Sequence, residues 1–172
     1  FVERGFAMQQ LNDKKLVPNL ICHPLAVPAF ELTQEIFCSP SSAPISKHKL
    51  KLFGQRQPLA FFEKSCGSKL FFTGWLPLLL TPENVRKQDV LNGPSNIEFK
   101  AWSYALDAIL SLSARNAVLP NLALFFSKIP QELIFRFFSG RTPKTLQAQI
   151  IEFTGESRAS VRYFLNKVEE LK

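Results

Sequence analysis

The chain has 172 residues, 46% of them hydrophobic and 20% charged, with 21 Lys+Arg against 14 Asp+Glu and a formal net charge of +7. Its length makes one domain or two small ones, and its 17 Phe can fill a sizeable core. An intrinsically disordered chain and a scaffold that needs disulfide staples are both excluded.

The chain opens on Phe1 and holds one methionine, Met8, the pattern of a processed chain or of a segment cut from a longer one. Its first residues lack the basic region, apolar run and small-residue cleavage site of a secretory leader. The most apolar run, residues 70–80, is about half the ~20 residues of a membrane-spanning helix and contains Gly74 and Pro77. The expectation is a cytoplasmic protein with no membrane partner. Cys22, Cys38 and Cys66 cannot all pair within the chain, and with His23 and His48 they lack the closely spaced ligand pairs of a structural zinc site. Buried thiols are expected, without metal.

In chain order, residues 2–11 read as a short helix through Phe6 and Leu11, and residues 29–37 as another, opened by Pro28 and buried through Phe30, Leu32 and Ile36. Prolines at 18, 24, 28, 40, 44 and 58 keep the helices of this half short, and residues 39–44 have the composition of a turn. Residues 47–53 alternate polar and apolar up to Gly54, the pattern of a half-buried strand, with residues 70–73 as its partner. On such a strand Lys47, Lys49 and Lys51 share one face, either as a solvated edge that resists aggregation or as a phosphate-binding stripe; the edge is the preferred reading.

Asn92-Gly93-Pro94 is read as a boundary between a mixed α/β region, residues 1–94, whose start is expected to be incomplete, and a helical region, residues 95–172. Ser95 with Glu98 has the form of a capping box, and Phe99, Trp102, Leu106, Ile109 and Leu110 lie on one face of the helix that follows. Residues 116–127 form an apolar segment interrupted by Pro120. Pro130 opens a helix that ends at Gly140, Thr142-Pro143 opens one that stops at Gly155, and Ser157 caps a last one running to the end. The expected fold is mainly α with a small β element near residues 47–75, and its helical half ends in a pair of helices.

Within residues 142–171, Gln147, Ile150, Gly155, then Ser157-Arg158-Ala159-Ser160-Val161, and Leu165 stand in the order of a helix-turn-helix. Gly155 permits the positive φ of a sharp turn, Ser157 caps the second helix, and Val161 and Leu165 at i and i+4 pack it on the first. The stretch resembles the helix-turn-helix of bacterial DNA-binding proteins, winged-helix and related regulators in particular. It departs from their pattern at Ile151, where alanine is usual, and at Glu156, where an apolar residue is usual, and the chain stops before the hairpin of a wing. The resemblance implies a second helix in the major groove of double-stranded DNA, with Arg158, Ser160 and Arg162 as readers and Lys144, Arg141 and Lys167 on phosphates. Residues 136–172 carry seven basic and four acidic residues, a balance of +3.

Residues 129–141 are similar to a helix near the C-terminus of bacterial flavin-dependent lycopene cyclases, which implies FAD, yet the chain has seven glycines and no GxGxxG. His23 and His48 stand beside no nucleophile motif, and the carboxylates are scattered, so no catalytic residue is assigned and no cofactor is expected. The reading is of a DNA-binding protein, a transcriptional regulator or an accessory of plasmid or mobile-element replication or transfer. It would act as a homodimer or with a protein partner, although no heptad seam is visible. The opposing reading is a helical interaction module, which would leave Phe125, Phe126, Phe135 and Phe138 in one exposed patch.

Overall fold

The computed structural model describes residues 20–40, 42–82, 85–91, 93–138 and 142–170, with side chains as far as Asn166. The helix expected at residues 2–11 lies outside them. The fold is mainly α with a small sheet: among the described residues, four short strands and eight α-helices.

The strands are β1 (Leu20–Cys22), β2 (Leu59–Glu63), β3 (Lys69–Thr73) and β4 (Lys87–Asp89), ordered β1-β3-β2-β4. β2 and β3 form an antiparallel hairpin, Phe61 opposite Phe71, with a bulge between Ala60 and Phe61; β1 runs parallel to β3 and β4 parallel to β2. Gly67, at φ 81°, supplies the left-handed residue that closes the hairpin loop, its N–H donating to the Lys64 carbonyl at 2.9 Å.

Helix α1 (Val27–Phe37) follows a 3-10 turn and carries Pro28 in its first turn, where a missing N–H costs nothing. The segment read as a strand at residues 47–53 is instead helix α2 (Lys47–Arg56). Leu50, Phe53 and Gly54 are its buried positions, spaced i, i+3, i+4, whereas Leu52, which strict alternation placed beside Leu50, is 44% exposed. Gly54 is a buried position inside the helix and does not end it. The partner of β3 is therefore residues 59–63, an apolar run after Pro58 that the sequence reading passed over.

Gly74 turns the chain from β3 into α3 (Trp75–Leu80) at φ 78°, and a Cβ there would run into the Pro58 carbonyl and the Leu59 backbone. The core lies under α4 (Ile97–Leu112), which packs against α1, α2, β3 and α5 (Val118–Lys128). Apolar on most of its circumference, α4 buries Ala101, Trp102, Tyr104, Ala105, Leu106, Ala108, Ile109 and Leu112, so the core runs unbroken across residues 93–94. Its N-cap is Asn96, without a side-chain cap bond, so the Ser95–Glu98 box does not form; Leu110, expected inside, is 45% exposed. Pro120 falls in the first turn of α5 and leaves it continuous. Pro130 is the N-cap of α6 (Gln131–Phe137), which buries Leu133 and Ile134; Gly140 lies outside the described residues.

Polar bonds inside the core are few and specific. The Trp75 indole N–H donates to Thr33 Oγ1 at 2.7 Å, the Leu76 N–H donates to the Tyr104 hydroxyl at 3.0 Å, and the Trp75 and Tyr104 rings meet edge-on at 4.4 Å. Burial pushes the Tyr104 phenol well above the usual range and raises Asp107, whose carboxylate accepts from Gln57 Nε2 at 2.8 Å.

Two predictions follow from this packing. Gly74→Ala adds both a left-handed alanine and a backbone clash, and should destabilise the fold by more than the ~1–2 kcal/mol of the conformation alone, read as a drop in the urea midpoint; an unchanged midpoint would mean that the turn can rearrange. Burial, with the Glu31 charge, pushes the Cys22 thiol up to about 12, and burial raises Cys38. Cys66 is exposed, and the Ser68 hydroxyl 3.3 Å from its Sγ favours the thiolate and lowers its pKa. Near pH 8 iodoacetamide should therefore modify Cys66 first, the fast phase disappearing in Cys66→Ser, as peptide mass mapping would show.

Candidate nucleic-acid interface

Helices α7 (Leu146–Thr154) and α8 (Arg158–Glu170) pack on each other, and both pack on α5. The seam is apolar: Ile150 and Val161 are buried, Leu165 is half-buried, and Phe153 meets Phe126 of α5 with ring centroids 5.7 Å apart. Three residues, Gly155, Glu156 and Ser157, link the two helices.

The link is held by short polar bonds. Gly155, at φ 70°, donates its N–H to the Ile151 carbonyl at 2.8 Å, and Thr154 Oγ1 donates to the Ile150 carbonyl at 2.7 Å while accepting from the Glu156 N–H at 3.2 Å. Ser157 Oγ accepts from the Ser160 N–H at 3.1 Å, the cap expected of it. α7 starts at Leu146, later than Thr142-Pro143; its cap is Thr145, whose Oγ1 accepts from the Ala148 N–H at 3.2 Å. Gln147 Nε2 donates to the Arg158 carbonyl at 3.3 Å and joins the first turns of the two helices.

Arg158 and Arg162 are exposed one turn apart on α8, and among the described residues neither forms an ion pair. Lys144 is exposed just before α7. Ser160 is placed differently from the two arginines: it is half-buried, with its hydroxyl 2.9 Å from that of Ser157, so it serves the cap. Arg141 lies outside the described residues; Lys167 lies on α8, with its side chain outside them. The exposed stripe also includes Ala159, Tyr163 and Asn166, which the sequence reading did not name. Their signal was present: with Val161 and Leu165 buried, helical spacing puts Asn166, Ala159 and Tyr163 on the side away from them and Arg162 on the flank, while Arg158 is exposed as the first residue of the helix. Tyr163 is 57% exposed, its ring centroid 5.7 Å from that of Phe164.

Phe125, Phe126 and Phe138 are in the core, and only Phe135, 54% exposed, faces outward among the four that an interaction surface would need. Among the described residues no three His, Cys, Asp or Glu side chains are grouped to hold a metal ion, and no helix is long and apolar enough to cross a membrane. Comparison with family models, curated proteins and solved structures gives no match to the chain.

A Cβ at position 155 would meet nothing within 4 Å, so φ alone demands glycine there. Gly155→Ala should then cost about 1–2 kcal/mol and Gly155→Asn distinctly less, measured by urea unfolding; equal costs would point to a steric cause that the geometry lacks.

Proposed function

We propose that the chain is a sequence-reading DNA-binding protein that lays α8 in the major groove, acting as a transcriptional regulator or as an accessory of plasmid or mobile-element replication or transfer. The observation that carries this reading is the presentation of Arg158 and Arg162. Both are exposed in the first turns of a helix that Val161 and Leu165 hold onto α7 and α5, Arg158 at its first residue and Arg162 on its flank, and neither has a carboxylate partner among the described residues. A helix N-terminus entering the groove brings such side chains to base edges, and the arginine fork matches guanine O6 and N7.

In this reading Arg158 and Arg162 contact bases, with Ala159, Tyr163 and Asn166 beside them. Ser160 supports the helix start through Ser157. Lys144, Arg141 and Lys167 contact phosphates and set register, and the short turn fixes the angle at which α8 leaves α7. The resemblance of residues 142–171 to bacterial helix-turn-helix proteins supports the same assignment, and a homodimer on a two-fold site is the assembly such helices use.

Fluorescence-anisotropy titration against mixed-sequence duplex DNA over a salt series tests the reading. The parent chain should bind with affinity that falls steeply as salt rises. Arg158→Ala with Arg162→Ala should weaken selection among sequences by about 1–3 kcal/mol for each lost base contact. No binding at low salt, or a double variant that binds and selects like the parent, would overturn it.

A further inference from the structure

Helix α2 concentrates positive charge in a way that its own folding does not reward. Lys47, His48, Lys49, Lys51 and Arg56 lie on its exposed side, and its ten residues include no acid. Lys47 and Lys49 occupy the first turn, where the helix dipole disfavours cations, and Lys47 and Lys51 are like charges at i and i+4. Lys49 and Arg56 lie two turns apart on the opposite flank, so the basic groups border the whole outer surface.

Neighbouring carboxylates do little to neutralise it. Glu35 lines the same cleft of about 760 Å³ as Lys49, yet its carboxylate is 2.8 Å from Lys128 Nζ. Asp107 accepts from Gln57 and offsets the charge of its neighbour Arg56, which leaves the three lysines. Among the described residues none of Lys47, Lys49 and Lys51 forms an ion pair.

We propose that the outer face of α2 is a second, sequence-independent contact for the phosphate backbone of duplex nucleic acid, separate from α8. Charge complementarity identifies the occupant: lysines spread along both flanks of a helix suit a regular array of phosphates. An anionic membrane surface fits less well. A helix lying on a bilayer inserts an apolar face, and that of α2, Leu50 and Phe53, is already in the protein core, with Leu52 alone exposed among the basic groups. The proposal does not rest on the reading of α8.

The test uses the full chain, its triple variant Lys47→Gln, Lys49→Gln, Lys51→Gln, the Arg158→Ala, Arg162→Ala variant, and the combination of all five changes. Glutamine keeps helix propensity and removes charge. For the triple variant the slope of log affinity for mixed-sequence duplex against log salt should become shallower by about 0.9 for every lysine that meets a phosphate. Its low-salt affinity should fall at least tenfold and its melting temperature should stay at or above the parent's.

A triple variant that binds like the parent overturns the proposal. So does one that melts below the parent, since the lysines would then serve the fold, and so does a loss confined to phosphatidylserine vesicles with duplex binding intact. Duplex binding that survives Arg158→Ala, Arg162→Ala with unchanged sequence selection, and disappears in the combined variant, would leave the α2 contact standing and remove the α8 reading alone.

Discussion

Trp75 joins elements that lie far apart in the chain. Its indole N–H reaches Thr33 on α1, and its ring meets Tyr104 of α4 edge-on at 4.4 Å, while the first turn of the indole's own helix donates to the Tyr104 hydroxyl. Phe30, Phe71 and Phe53 close around the same pair of rings. A buried donor left without an acceptor costs about 1–3 kcal/mol, so these bonds select one arrangement of α1, β3, α3 and α4 over others of similar apolar area. Because α4 also carries α5, the position of α7 and α8 is inherited from that node through a continuous core.

The face proposed for DNA is built on the same logic with different materials. Among the described residues no ion pair holds α7 to α8: hydroxyls of Thr145, Thr154 and Ser157 satisfy amides and carbonyls at the ends, and Ile150, Val161 and Phe153 fill the seam. Among the described residues the guanidinium groups of Arg158 and Arg162 form no ion pair within that support. A guanidinium with no part in holding the helix can meet a ligand without loosening its support, which is what pre-organised recognition requires.

Legibility in the sequence followed how local the determining physics is. Turn and cap chemistry at Gly155 and Ser157 was readable, because φ > 0 and an orphan amide are settled by one or two residues. Residues 29–37 and 70–73 were readable from apolar spacing and β-rich composition. Residues 47–53 were not, since Leu50-Lys51-Leu52-Phe53 satisfies alternation over a few positions as well as helical spacing, and the decision came from which leucine found a core: Leu50 did and Leu52 did not. The same tertiary choice hid β2, whose identity as a strand depends on β3 beside it. At the candidate site, Arg158 and Arg162 were identifiable by type, but the turning of Ser160 toward Ser157 depends on rotamer and cap geometry that spacing does not contain.

The segment just before α1 guards an edge of the sheet. β1 is three residues long, yet it covers the outer side of β3 along Leu20↔Lys69, Ile21↔Leu70 and Cys22↔Phe71, and the next residue, His23, donates its N–H to the Phe71 carbonyl at 2.8 Å. A chain shortened past that point would make Lys69–Thr73 the outermost strand, with unpaired amides and carbonyls alongside Leu70, Phe71 and Phe72. That is an adhesive surface for a second copy. Three residues of modest length thus decide whether trimming the front of this protein leaves it monodisperse or turns its sheet into a template.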